Sequence, residues 1–166
     1  GERGEAIAFL RQELARWRGS PIHARIQKNL HLLDLEGKPA PPLEGAPPEM
    51  RGRPALLFFW AHWCGDCKHM AGDIARVREV YGPKGLAVVA PTQTYGYVAR
   101  GREAGPEEEA RYIDEVRRRD YPGLDGIAAP LSQENFRQYG VSTTPTIVVV
   151  GSDGLVRLFH PGAIRY

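Results

Sequence analysis

The stretch Phe59-Trp60-Ala61-His62-Trp63-Cys64-Gly65-Asp66-Cys67-Lys68 decides how this chain is read. It begins inside Ala55-Leu56-Leu57-Phe58-Phe59-Trp60, a short continuous apolar run of the kind expected for a strand buried on both faces. Beyond it, Met70, Ile74, Val77 and Tyr81 recur at helical spacing as far as Gly82-Pro83. The cysteine pair therefore falls at a strand-to-helix junction. Cys64 would open the helix, where free N–H groups and the helix dipole favour a thiolate, the nucleophilic form of cysteine. Cys67 lies three residues on, on the same helical face and within disulfide reach.

These are the only two cysteines of the chain. A disulfide closing so small a loop constrains little of the unfolded chain, so the pair is not a structural staple. The spacing points to exchange chemistry: one thiol attacks a disulfide, and the other resolves the mixed disulfide. A Cys2His2 zinc site would have to recruit His62 and His69, which lack the usual spacing of paired ligands. The expected redox element is the Cys64–Cys67 disulfide itself, with no cofactor and no metal.

Outward from this centre, Leu86-Ala87-Val88-Val89-Ala90 reads as a second buried strand and Thr92 to Gly105 as a loop carrying Tyr95 and Tyr97. Pro106 suits the first turn of a helix running to about Arg119, whose acidic start and basic end suit the dipole of a solvated helix. Ser132 is a candidate N-cap for a short helix closed by Gly140. Thr146-Ile147-Val148-Val149-Val150, the turn Ser152-Asp153-Gly154 and Leu155 to His160 form a β-hairpin. Toward the N-terminus, Lys38 to Arg53 is proline-rich and extended, Ile22 to Leu35 reads as either helix or the start of a strand, and residues 4–18 carry Ile7, Leu10, Leu14 and Trp17 at helical spacing. Alternating strands and helices followed by a hairpin give an α/β fold with a mixed central sheet flanked by helices. The expected division is an N-terminal helical extension, 1–37, and an α/β domain, 38–166.

The chain has 166 residues, 42% of them hydrophobic, and a formal net charge of +2. That near-balance gives no reason to expect a nucleic-acid partner, and no stretch is long and apolar enough to span a membrane. Residues 1–18 are too charged for a signal peptide.

The segment from Phe59 to Lys68 resembles the active-site segment of thioredoxin-fold proteins. A second segment, Tyr139-Gly140-Val141-Ser142-Thr143-Thr144-Pro145-Thr146, resembles the signature that faces it. The longer stretch between the second strand and Pro145, with the turn Asp153-Gly154, is similar to the TlpA/ResA-like branch. The resemblance covers about residues 40–162 and implies a thioredoxin-like domain, a cis bond at Pro145, and a thiol–disulfide oxidoreductase with protein-disulfide reductase activity. Trp63, Gly65, Asp66, Thr144 and Pro145 would then meet the substrate, with Thr144 offering backbone groups to an extended segment, while Trp60 packs in the core. The implied partners are a disulfide-bearing protein and an upstream thiol donor. The implied location is the bacterial periplasm or another extracytoplasmic space, with an anchor upstream of Gly1 left open. Related domains close with a helix after the position of Gly162, whereas this chain stops at Tyr166. If that helix is absent, residues 4–18 could cover the sheet face it would fill.

Several positions depart from the resemblance, among them Asp66, which stands where a proline is usual between the cysteines. Phe58 and Met70 stand where related proteins keep carboxylates, and Gly72 stands where a proline kinks the helix. A proton acceptor for the resolving thiol is therefore sought among His62, Asp66, His69 and Asp73. Asp66 also sits beside the thiolate and disfavours its charge, which makes a weaker oxidant and points to a reductant. Two other functions remain. A peroxiredoxin-like peroxidase would want Thr or Ser at Ala61 and Pro at Leu57, and a binding module would not need both segments intact.

Overall fold

The computed structural model describes residues 1–164; positions 165–166, where the end of the expected second domain falls, lie outside the described residues. Four strands form one mixed sheet in the order β2-β1-β3-β4: β1 (Ala55–Phe59), β2 (Ala87–Val89), β3 (Thr146–Val150) and β4 (Val156–Pro161). β1 lies parallel to β2 and antiparallel to β3, and β3 pairs antiparallel with β4. A parallel neighbour requires a crossover, and the helix following the cysteines, α3 (Gly65–Tyr81), supplies it.

β1 is buried throughout because it is central and covered on both sides. Alternate residues face opposite ways. Leu56 and Phe58 pack with Cys67, Met70 and Ile74 of α3. Leu57 and Phe59 pack with Phe136 and Tyr139 of α5 (Gln133–Tyr139) and with Leu35. This explains the unbroken apolar run. It also explains Phe58: that position faces the α3 cluster, where the ring is fully buried.

α4 (Pro106–Asp120) follows the long loop as expected. The stretch 126–131 then returns to the sheet, with isolated parallel bridges from Ala128 to Val89 and from Leu131 to Thr92. The expected loop between Thr92 and Gly105 is more ordered than its polarity suggests, with an antiparallel bridge between Tyr97 and Glu103.

Two helices precede the strands, α1 (Glu2–Arg16) and α2 (His23–Asp34). The ambiguous stretch Ile22 to Leu35 is therefore helical almost to its end. α2 packs on α5 and β4, while α1 packs on α2. Arg11 pairs with Asp34 at 2.9 Å, and Arg3 donates to the Leu33 carbonyl. Contrary to expectation, residues 4–18 do not cover a bare sheet face. None of the α1 residues is fully buried, and the contact with the sheet is made by α2. The stripe on α1 seeks the nearest apolar surface, which is α2.

Candidate redox site

Cys64 is the N-cap of α3, with extended backbone (φ −82°, ψ 106°), and its sulfur accepts the Cys67 amide N–H at 3.1 Å. A free amide at the first turn thus already points at the sulfur that would carry negative charge. Cys64 and Cys67 are joined by a disulfide with Cα atoms 5.2 Å apart. The Cys64 amide closes the preceding turn on the Ala61 carbonyl. The Tyr121 hydroxyl lies 2.8 Å from that carbonyl and 3.0 Å from the Cys64 carbonyl. Burial keeps the Tyr121 phenol protonated, so it remains a donor to this turn.

Both sulfur-bearing residues are buried, whereas Gly65 and Asp66 are exposed and Trp63 is half exposed at 49%. The peptide bond Thr144–Pro145 is cis. Antiparallel register sets Thr146 opposite Phe59, so Thr144-Pro145 enters the sheet at the end where β1 leaves for the cysteines. The two segments singled out in the sequence are thereby brought to one end of the sheet. Trp60 is fully buried and donates its indole N–H to the Ala90 carbonyl at 2.9 Å, as expected of a core residue. α3 runs through Gly72 without a break.

The four proton-acceptor candidates separate. Asp66, His69 and Asp73 lie on the exposed face of α3. His62 is buried, and its Nε2 lies 3.2 Å from Glu109 Oε1. Among the described residues, none of the four hydrogen-bonds either sulfur. Glu109 was not anticipated. It is completely buried in α4, and its two oxygens also accept the Tyr95 N–H at 2.6 Å and the Gly96 N–H at 2.7 Å. With those oxygens acting as acceptors, His62 Nε2 is the donor in the third bond. Three tyrosine rings, Tyr95, Tyr97 and Tyr112, stand edge-on around His62 at centroid distances of 5.9, 5.5 and 5.3 Å. The sequence held one signal for this: Glu109, Ile113 and Val116 share the buried stripe of α4. The acidic run 107–109 is therefore not wholly solvated, and Arg117 is likewise drawn inward to the Ile127 carbonyl.

Burial lowers the His62 pKa below 6.5, against the opposing pull of Glu109, and burial also lowers that of His31. The Gln27 amide also favours neutral His31 by donating to Nε2 at 2.6 Å, while the bond from Nδ1 to the Tyr139 carbonyl at 2.7 Å pulls the other way. Between the ordinary value and these lowered values, the unfolded chain binds protons that the folded chain refuses. Stability therefore falls as pH drops through 6.5 and levels off once both states are protonated. The expected result is a lower Tm at about pH 5.5 than at about pH 7.5, with a shallower dependence in a His31→Gln, His62→Gln double variant. An unchanged or higher Tm in acid would contradict it.

A cleft of about 520 Å³ opens between α4 and the 126–131 stretch, lined by Trp60, Thr92, Ile113, Arg117 and Leu131 among others, and neither cysteine contributes to it. The disulfide lies outside that cleft, itself buried but next in sequence to the exposed residues Trp63, Gly65 and Asp66.

A family model described as a thioredoxin-like domain matches residues 49–165. A thioredoxin-like protein of Synechocystis is 47% identical over 32 residues, covering 19% of this chain; the chain spans 29% of that relative's length. Among solved structures, a thioredoxin-family thiol:disulfide interchange protein of Chlorobium tepidum aligns with a TM-score of 0.58 at 15% identity, over 76% of this chain and 87% of that one. A thiol-disulfide oxidoreductase of Bacteroides fragilis aligns with a TM-score of 0.53 at 19% identity, over 73% and 81%. The pneumococcal exposed lipoprotein thioredoxin of Streptococcus pneumoniae aligns with a TM-score of 0.53 at 21% identity, over 69% and 78%. At such identities the structural likeness speaks for the fold.

Proposed function

Since the chain belongs to the thioredoxin-like family, we propose that it is a dithiol–disulfide oxidoreductase that reduces protein disulfides. The observation that carries this reading is Cys64 at the N-cap of α3, its sulfur already accepting the Cys67 amide. In the reduced protein the Cys64 thiolate attacks one sulfur of a substrate disulfide. The other substrate sulfur leaves as a thiolate and takes up a proton. Cys67 then gives up its proton and attacks Cys64 in the mixed disulfide. The second substrate thiolate leaves and is protonated, and the Cys64–Cys67 disulfide remains. Two electrons pass to the substrate, and an upstream thiol donor must restore them.

Asp66 supports the reducing direction, because a carboxylate in the first turn opposes the neighbouring thiolate and so raises the energy of the reduced form. It also shares that turn with both cysteines, which favours it over His69 and Asp73 as the group that takes the Cys67 proton. Trp63, Gly65 and Asp66 on one side, and Thr144 and Pro145 on the other, are the proposed substrate contacts. An extracytoplasmic setting is part of the same reading and draws on the exposed lipoprotein thioredoxin of Streptococcus pneumoniae.

The test is the reduction potential of the Cys64–Cys67 couple together with turnover on insulin disulfides. The expected potential is more reducing than about −180 mV, with insulin reduced when a thiol donor is supplied. A more oxidising value would reverse the proposed direction, and inertness toward insulin would remove the activity.

A further inference from the structure

Beside the cysteines stands a second built feature that the exchange chemistry does not use. The loop after β2 turns back at Tyr95-Gly96-Tyr97, and Gly96 has φ +88°, a left-handed conformation that suits glycine. The loop is held from three directions. Its own bonds run from the Ala104 amide to the Gly96 carbonyl (3.0 Å) and from the Val98 amide to the Arg102 carbonyl (2.8 Å). Gln133 of α5 donates to Thr94 Oγ1 at 3.1 Å. Glu109, fully buried, takes the Tyr95 and Gly96 amides and, through His62, the turn that leads into Cys64. One carboxylate thus joins α4, the loop and the cysteine turn. The outer side of this joint is aromatic: the Tyr95 ring meets the exposed Trp63 ring edge-on, at 5.4 Å between centroids and 76° between planes.

We propose that Trp63 and the Tyr95–Tyr97 turn form a docking wall for protein disulfides, and that Glu109 is the positioning residue that sets it. The proposal rests on the oxidoreductase reading above. A substrate sulfur must come within bonding distance of the Cys64 sulfur, so residues flanking that substrate sulfur lie over Trp63 and its neighbour. The surface there is a half-exposed indole with a partly exposed phenol set at an angle to it. It suits an apolar or aromatic side chain next to the substrate disulfide, because two crossed rings offer both a face and an edge. Burial pushes the Tyr95 phenol up to about 12, so the wall stays uncharged at physiological pH. Glu109 touches neither the cysteines nor the approaching segment. Its effect is to remove the freedom of the wall before substrate arrives, which reduces the ordering cost of docking.

The experiment uses the full chain with Glu109→Gln and Tyr95→Ala, each checked for folding by near-UV circular dichroism. Insulin serves as the protein disulfide, and hydroxyethyl disulfide, which has no side chains to dock, as the small one. The expected result is that the ratio of insulin to hydroxyethyl disulfide kcat/KM falls by about fivefold or more in both variants, carried by KM for insulin. An unchanged ratio, or equal losses on both substrates, overturns the wall. If Glu109→Gln does not fold, Tyr95→Ala at its partly exposed ring decides alone. A wild-type chain inert toward both disulfides overturns the oxidoreductase reading instead, and the wall with it.

Discussion

Replacing Cys64 with serine is expected to reduce disulfide exchange by roughly a thousandfold or more, to the level of the uncatalysed reaction. Of the two cysteines, Cys64 at the N-cap of α3 is the one proposed to attack, since Cys67 is completely buried one turn inside. A serine hydroxyl does not ionise near neutral pH and forms no disulfide, so neither step of the exchange survives. The fold should persist, because serine is a good N-cap and can accept the same Cys67 amide. Cys67→Ser should behave differently. The first attack remains, resolution is lost, and a mixed disulfide with the substrate accumulates, visible as a mass shift on a non-reducing gel. Full insulin turnover by the Cys64→Ser protein would remove Cys64 as the nucleophile.

The second large effect concerns stability. Gly123→Ala is expected to cost about 3 kcal/mol, near the upper end for overpacking, and to lower Tm by roughly 6–12 °C for a chain of this size. A Cβ at Gly123 would lie 2.3 Å from the Ala71 carbonyl oxygen and 2.6 Å from its carbon. Both are backbone atoms of the active-site helix, so no side chain can swing away. The flanking residues leave little room to retreat, because Tyr121 and Leu124 are themselves buried. Gly72→Ala, at the next residue of α3 after Ala71, is the matched control. A Cβ there meets nothing within 4 Å, and the residue lies inside a regular helix. That variant should gain about 0.5–1 kcal/mol, since alanine loses less backbone freedom than glycine. Thermal unfolding of the two variants beside the parent checks both signs, and a Gly123→Ala protein as stable as the parent would contradict the close approach.

The contrast between these two glycines marks how far a sequence can be read. Both look like helix punctuation or tolerance in one dimension. Only the packing of the 122–124 turn onto α3 separates a required glycine from a dispensable one. The same holds for the charged residues. Glu109 sits in an acidic run that suits the first turn of a solvated helix, yet its position on the stripe with Ile113 and Val116 takes it inside. Its partners, His62 and the Tyr95 and Gly96 amides, come from two other parts of the chain.

What the chain determined by itself was local and periodic. The apolar run 55–60, the stripe after Cys67 and the Cys64–Cys67 spacing already placed two thiols at a strand-to-helix junction, because burial pattern and helix polarity are written in neighbouring residues. The hairpin after Pro145 was legible for the same reason. Tertiary structure alone decided that α2, and not α1, meets the sheet, that His62 turns toward a buried carboxylate, and that a loop of tyrosines stands beside Trp63. Those outcomes depend on contacts between segments far apart in sequence. Such contacts leave no period to read, because each is fixed by shape and hydrogen-bond satisfaction only once the segments have met.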